Sequence, residues 1–355
     1  MNWPRVLILN YLIILIDCPT SCAAQFHQGK SRSCGNIGIK SIYIEPTDID
    51  MHTAIDKVES QFHSAEESTK LGIMPLEDIE ERYLNIIGII KEITEAVKDS
   101  KNANVFLKAK GLSRIVVPYL TNQYSEVKTK LIILLKVLFD VEPVTTNAFI
   151  PTKILDHLLD IFENDNLALK AHSLDVLAKW MPDNPKIQTR VMKLKGLEPF
   201  YNQVNKLDVS GIRILLDLFN KILKEHISIK NSKQTTKFDA EKFLMYRKIG
   251  LVERMSTPLV CNGFLNIFEI LWSFNNNEDY EVVESIFNLI QNIEPYCMNM
   301  FKGRTKAIHL FEALLNYVQD ENKQHIFKKI DINMSEFEEK LRGCVATLKS
   351  YRDEL

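Results

Sequence analysis

Cysteine, histidine and the carboxylates are the side chains best able to do chemistry, and their spacing in this chain points away from catalysis. The chain has six cysteines. Cys18 and Cys22 fall inside an apolar leader and do not read as a redox pair. Cys34, Cys261, Cys297 and Cys344 are widely separated, with no C-x-x-C and no histidine at metal-ligand spacing. In an oxidising compartment Cys261 and Cys297 could pair, and buried thiols in a helical core are the other open reading. Cys34, in a polar segment, could react with a partner thiol. The eight histidines are scattered, and His172, beside Leu174, reads as a partly exposed helical residue. Asp78, Glu80 and Glu81 read as a solvated face, and Trp180 and Trp272 as core. The sequence holds no G-x-S-x-G, H-E-x-x-H, Walker or G-x-G-x-x-G motif. The expectation is a protein that is not an enzyme and uses no cofactor or metal. Asn333-Met334-Ser335 is a glycosylation sequon.

The two ends carry addresses instead. Arg352-Asp353-Glu354-Leu355 differs from the Lys-Asp-Glu-Leu retrieval signal of the endoplasmic reticulum only by Arg for Lys, which keeps the positive charge. At the other end, Arg5 precedes an apolar run from Val6 to Ile16, then Pro19 and the small residues Ser21-Cys22-Ala23-Ala24. Those eleven residues fall short of the about twenty that span a bilayer. A signal peptide over 1–24 and a retrieval tail over 350–355 predict a resident of the reticulum lumen that meets a KDEL-type retrieval receptor. No later apolar stretch predicts a membrane span.

Between the addresses, composition is that of an ordinary globular chain: 46% hydrophobic, 25% charged, formal net charge -2. No concentrated basic face suggests nucleic acid. Residues 25–75 are sparse in apolar clusters, and the expectation is a flexible, disordered N-terminal segment. From Leu76 to about Lys349 apolar residues recur at helical spacing, beginning with Ile79, Tyr83, Ile86, Ile90, Ile93 and Val97. His226–Lys242 reads as an inserted polar loop.

These helical patterns repeat. Phe106-Leu107-Lys108-Ala109-Lys110-Gly111-Leu112 resembles Val191-Met192-Lys193-Leu194-Lys195-Gly196-Leu197, with a looser copy ending at Gly250-Leu251. Phe106, Phe149 and Val191 mark steps of 43 and 42 residues. The same offsets align Leu131, Leu174 and Leu216, then Leu134, Leu177 and Phe219, then Leu138, Met181 and Leu223. Pro143 and Pro185 recur at a step of 42. Each unit reads as a short helix, a Gly turn, a second helix, a polar break such as Asn164-Asp165-Asn166, and a longer helix. That order and period predict an all-α, curved armadillo/HEAT-like solenoid over 76–349, because one unit can bury its apolar face only against the next.

A signal peptide, a loose N-terminal segment, an armadillo array with K-G-L turns and a terminal Arg-Asp-Glu-Leu together resemble the Sil-type nucleotide exchange factors of the endoplasmic reticulum. These act on BiP, the ATP-driven heat-shock chaperone of the lumen. Some members of that family carry a cysteine pair near the mature N-terminus, whereas only Cys34 is present here. The resemblance implies a monomer that binds the nucleotide-binding domain of BiP and promotes ADP release, supporting protein folding and transport. The alternative is a lumenal helical-repeat adaptor that binds cargo or another folding factor without exchange activity. A thiol-disulfide oxidoreductase fits poorly, lacking C-x-x-C and alternating strand patterns. The partner-binding residues expected to face outward on the concave face, contributed by the long third helices, are Lys128, Lys130, Lys170, Ser173, Arg213 and Asp217.

Overall fold

A computed structural model of the chain describes residues 49–350, apart from 73–74, 234–235, 256, 274–278 and 331. All regular structure among the described residues is helical. The expected signal peptide, Cys34 and Arg352–Leu355 lie outside those residues.

The packed body begins earlier than the composition suggests. α1 (Met51–Leu71) is a full helix that packs on α2 (Leu76–Ala96). Asp50 caps α1 by accepting the His52 N–H at 3.1 Å, and Met51, Ile55, Val58 and Phe62 bury one face. Phe62 stacks on Tyr119 with ring centroids 3.6 Å apart. Arg114 pairs with Asp56 and Glu59 of α1. The expected flexible segment is therefore corrected over 51–71. Its stripe looks thin because Ala54 and Ala65 fill core positions where larger residues would have marked it.

After α2 come α3 (Ser100–Lys108), a π-helical turn at Leu112–Val116, α4 (Val117–Tyr119) and α5 (Ser125–Val141). Then follow α6 (Pro143–Phe149), α7 (Lys153–Asn164) and α8 (Leu167–Trp180). α9 (Pro185–Leu194), α10 (Glu198–Asn202) and α11 (Val209–Asn231) continue the order of shorter helices followed by a longer one. α12 (Lys237–Ile249), α13 (Leu251–Met255), α14 (Pro258–Ser273) and α15 (Tyr280–Phe301) come next. The described chain closes with α16 (Thr305–Gln319), α17 (Gln324–Phe327) and α18 (Met334–Ser350).

The polar breaks are helix starts. Asp99, Asn166, Asn184 and Asp208 each accept a backbone N–H from the first turn of the helix that follows, which satisfies a donor with no partner inside the helix. Pro143 and Pro185 open α6 and α9 at first-turn positions, where no N–H is needed. The turn glycines serve two different needs. Gly250 ends α12 at φ 63°, a conformation that side chains resist. Gly111 is helical, and a Cβ there would sit 2.4 Å from the Phe106 ring.

The long helices pack in series, α2 on α5, α5 on α8, α8 on α11, α11 on α15 and α15 on α18. All nine aligned positions, Leu131 to Leu223, are buried. A run of aromatic contacts joins α7, α10, α11 and α14: Phe162 to Phe200 at 5.4 Å, Phe200 to Phe219 at 6.2 Å and Phe219 to Phe264 at 5.2 Å. Phe149 is 47% exposed, and in its unit Thr146 is buried instead, donating to the Leu138 carbonyl at 3.0 Å. The expected loop at His226–Lys242 is also corrected. α11 runs on to Asn231 with His226 buried, and α12 begins at Lys237 behind a Thr236–Asp239 capping box.

The disulfide joins Cys261 of α14 to Cys297 of α15, with Cα atoms 5.4 Å apart and both residues fully buried. Cys344 is a free, buried thiol, and burial pushes its pKa up to about 11, with Glu294 adding to the shift and Lys340 opposing it.

Candidate partner-binding face

The row of long helices offers its solvent side as the broadest candidate site, and the six expected residues divide sharply there. Lys170 is corrected: it is only 5% exposed. Its Nζ donates to the carbonyls of Phe162 at 2.8 Å and Glu163 at 2.6 Å, and to Gln203 Oε1 at 3.2 Å. The lysine caps the C-terminal end of α7, whose last carbonyls have no helical partner. Burial lowers its pKa, Lys206 adds to the shift, and Asp165 and Glu163 oppose it. Ser173 is corrected as well. It is wholly buried and donates to the Lys170 carbonyl at 2.9 Å.

Lys128 is mostly covered and bridges to Asp165 at 2.8 Å, tying α5 to the break between α7 and α8. The other three lie where a partner could meet them. Lys130 is half-exposed. Arg213 of α11 pairs with Glu281 of α15. Asp217, one turn on and exposed, accepts the Ser285 Oγ hydrogen bond at 2.7 Å.

Neighbours the sequence reading passed over complete this face. Lys136 of α5 meets Asp175 of α8 at 2.8 Å, and Lys179 of α8 pairs with Asp140 of α5. Both pairs span the same separation of 39 residues. The signal that could have found them is charge order: Lys then Asp four residues apart on one helix, Asp then Lys on the other. His172 lies beside this group. Burial lowers its pKa, Lys136 and Lys130 add to the effect, and Asp175 opposes it. Between α11 and α15, Asn220 donates to the Ser285 carbonyl at 3.0 Å and accepts from Asn292 at 3.0 Å.

The result is a polar ledge of paired charges and amides on rigid helices, suited to hydrogen-bonding and ion-pairing with another protein's surface. Among the described residues no group of three or more His, Cys, Asp or Glu is placed to hold a metal ion. No described helix is long and apolar enough to cross a membrane. Asn333 stands exposed just before α18, its Oδ1 accepting the Glu336 N–H at 3.4 Å and its Nδ2 3.5 Å from Glu336 Oε2. No family model, curated protein or solved structure matches the chain.

Proposed function

We propose that this protein is an armadillo-type nucleotide exchange factor of the endoplasmic reticulum lumen, binding the nucleotide-binding domain of BiP and promoting ADP release. The observation that carries the reading is the serial packing of the long helices, with cross-linked polar side chains between successive members. Such a scaffold supplies a broad, preorganised surface. Burial of all nine aligned positions supports the repeat assignment. A buried disulfide suits an oxidising lumen.

The mechanism follows from linkage. ADP sits in a cleft between two lobes of its host, and a rigid partner that favours the open cleft lowers ADP affinity. By reciprocity, bound nucleotide weakens the partner's grip by the same factor, so incoming ATP helps to release it. No proton transfer or covalent step is required. What the face must supply is shape and fixed charge, held here by Lys136–Asp175 and Arg213–Glu281.

The deciding measurement is release of labelled ADP from purified BiP, with and without the mature chain. Faster release at micromolar concentration is expected. Unchanged release overturns the exchange reading; if BiP or a folding factor still binds, the protein is a lumenal adaptor.

A further inference from the structure

α12 is apolar on two sides. Its inner side is accounted for: Tyr246 and Ile249 are buried, and Tyr246 meets the His226 ring of α11 edge-on at 4.7 Å. Its outer side is a single stripe of six exposed residues, Lys237, Phe238, Glu241, Leu244, Met245 and Lys248, at the spacing of one helical face. Phe238 is 72% exposed, Leu244 61% and Met245 40%. Single exposed apolar residues are ordinary on protein surfaces, whereas three on one face of one short helix ask for a partner.

The surrounding charge says what kind. Between Lys221 and Lys248 there are eight Lys and Arg against three Asp and Glu, in a chain whose net charge is -2. Lys230, Lys237, Arg247 and Lys248 are exposed and form no ion pair among the described residues. Lys242 leans 5.8 Å from the Tyr246 ring and reaches Asp183 only at 4.0 Å. We propose that α12 is an interfacial helix that docks this protein on anionic lipid surfaces, Phe238, Leu244 and Met245 entering the headgroup boundary while the lysines meet lipid phosphates and carboxylates.

Two features favour a lipid surface over an acidic peptide. The apolar side chains protrude from the helix rather than line a groove, as insertion requires. The cations lie beside and between them, where long lysine stems can bury apolar length and keep their charge in the headgroup layer. Glu241 is the one acidic member of the stripe and limits the attraction without cancelling it.

The test is co-sedimentation of the mature chain with vesicles of phosphatidylcholine alone or with roughly one third phosphatidylserine, at about 0.1 M salt. Wild type is expected to pellet with the anionic vesicles, to stay in solution with the neutral ones, and to be released as salt rises. The variant F238S/L244S/M245S and the variant K237E/K248E should each lose binding by about ten-fold or more. All five substituted residues are exposed, so helicity and melting should hold, and ADP release from soluble BiP should be unaffected. Wild type remaining in solution with anionic vesicles overturns the proposal, as does a triple variant that pellets like wild type. A soluble dimer lost in the triple variant would assign the stripe to a second copy, and binding of an acidic peptide without vesicle binding would assign it to a protein; either outcome overturns lipid docking.

Discussion

Lys136 and Asp175 meet at 2.8 Å across α5 and α8, and one turn further along the same two helices Lys179 and Asp140 meet with the signs exchanged. The two pairs set one register between the helices, because sliding by a turn would bring like charges together. Both are partly solvated, Lys136 at 39% of its side chain, so their worth is in alignment more than in stability. A double-mutant cycle on Lys136→Ala and Asp175→Ala should return a coupling of about 0.5 kcal/mol. A coupling above about 2 kcal/mol would show the pair to be far less screened than its exposure implies.

Lys170 should behave as a structural residue. Lys170→Met leaves the Phe162 and Glu163 carbonyls without their partner, at a cost of roughly 1–3 kcal/mol. Lys130→Glu, on the half-exposed side of α5, should leave the melting temperature unchanged and weaken BiP binding. Thermal melts with a binding titration on the two variants separate these roles.

His226 makes stability depend on pH. It is 4% exposed, its Nε2 lies 2.8 Å from Gln188 Oε1, and burial pushes its pKa down to about 4. The unfolded imidazole titrates near 6.5, so the unfolded state binds the proton first. Its contribution is intact above pH 6.5 and is lost as pH falls towards 4, on the order of 3 kcal/mol in all. His157 and His172, also lowered by burial, act in the same direction. Glu225, raised by burial, acts against them. Urea titrations between pH 7 and 4 should show the loss, and His226→Gln should flatten it.

The legible part of this fold was the part with strong periodicity. Leu131, Leu174 and Leu216 could be aligned from sequence because each sits in a long helix with large apolar neighbours. α1 escaped notice because two of its core positions are alanine, and α12 because apolar residues on two sides blur its period. The candidate face was less legible still. Ser173 precedes Leu174 as Lys130 precedes Leu131, yet Ser173 is buried and Lys130 is not. Lys170 falls four places before Leu174, in line with the buried Val127 and Ile212, and that its ammonium turns back to cap α7 depends on where α7 ends in space. Single-residue spacing does not carry that information.

The Cys261–Cys297 bond joins residues 36 positions apart and encloses most of α14 and of α15. Replacing both cysteines by alanine should destabilise the protein by about 4 kcal/mol on the loop-entropy account. Denaturant titration of the double variant, and of wild type under strong reductant, checks this. Equal stability in all three would mean that the cross-link does not constrain the unfolded chain.

On the proposed reading, deleting Arg352 to Leu355 should send the protein into the medium of producing cells, as read by comparing secreted and retained fractions on a blot, and should leave release of labelled ADP from BiP as fast as with the full chain. Retention without the four residues would require another anchor, such as a lipid-bound α12.

The serial packing of the long helices also bears on how the chain could be made. The ion pairs joining α5 to α8 link residues only 39 positions apart. Where α12 to α14 intervene the separation grows, to 65 to 72 between α11 and α15. A chain emerging N-terminus first from a ribosome or a translocation pore would thus present most helices with a docking site already folded. Folding could advance vectorially, one helix at a time, with little apolar surface left waiting for the C-terminus.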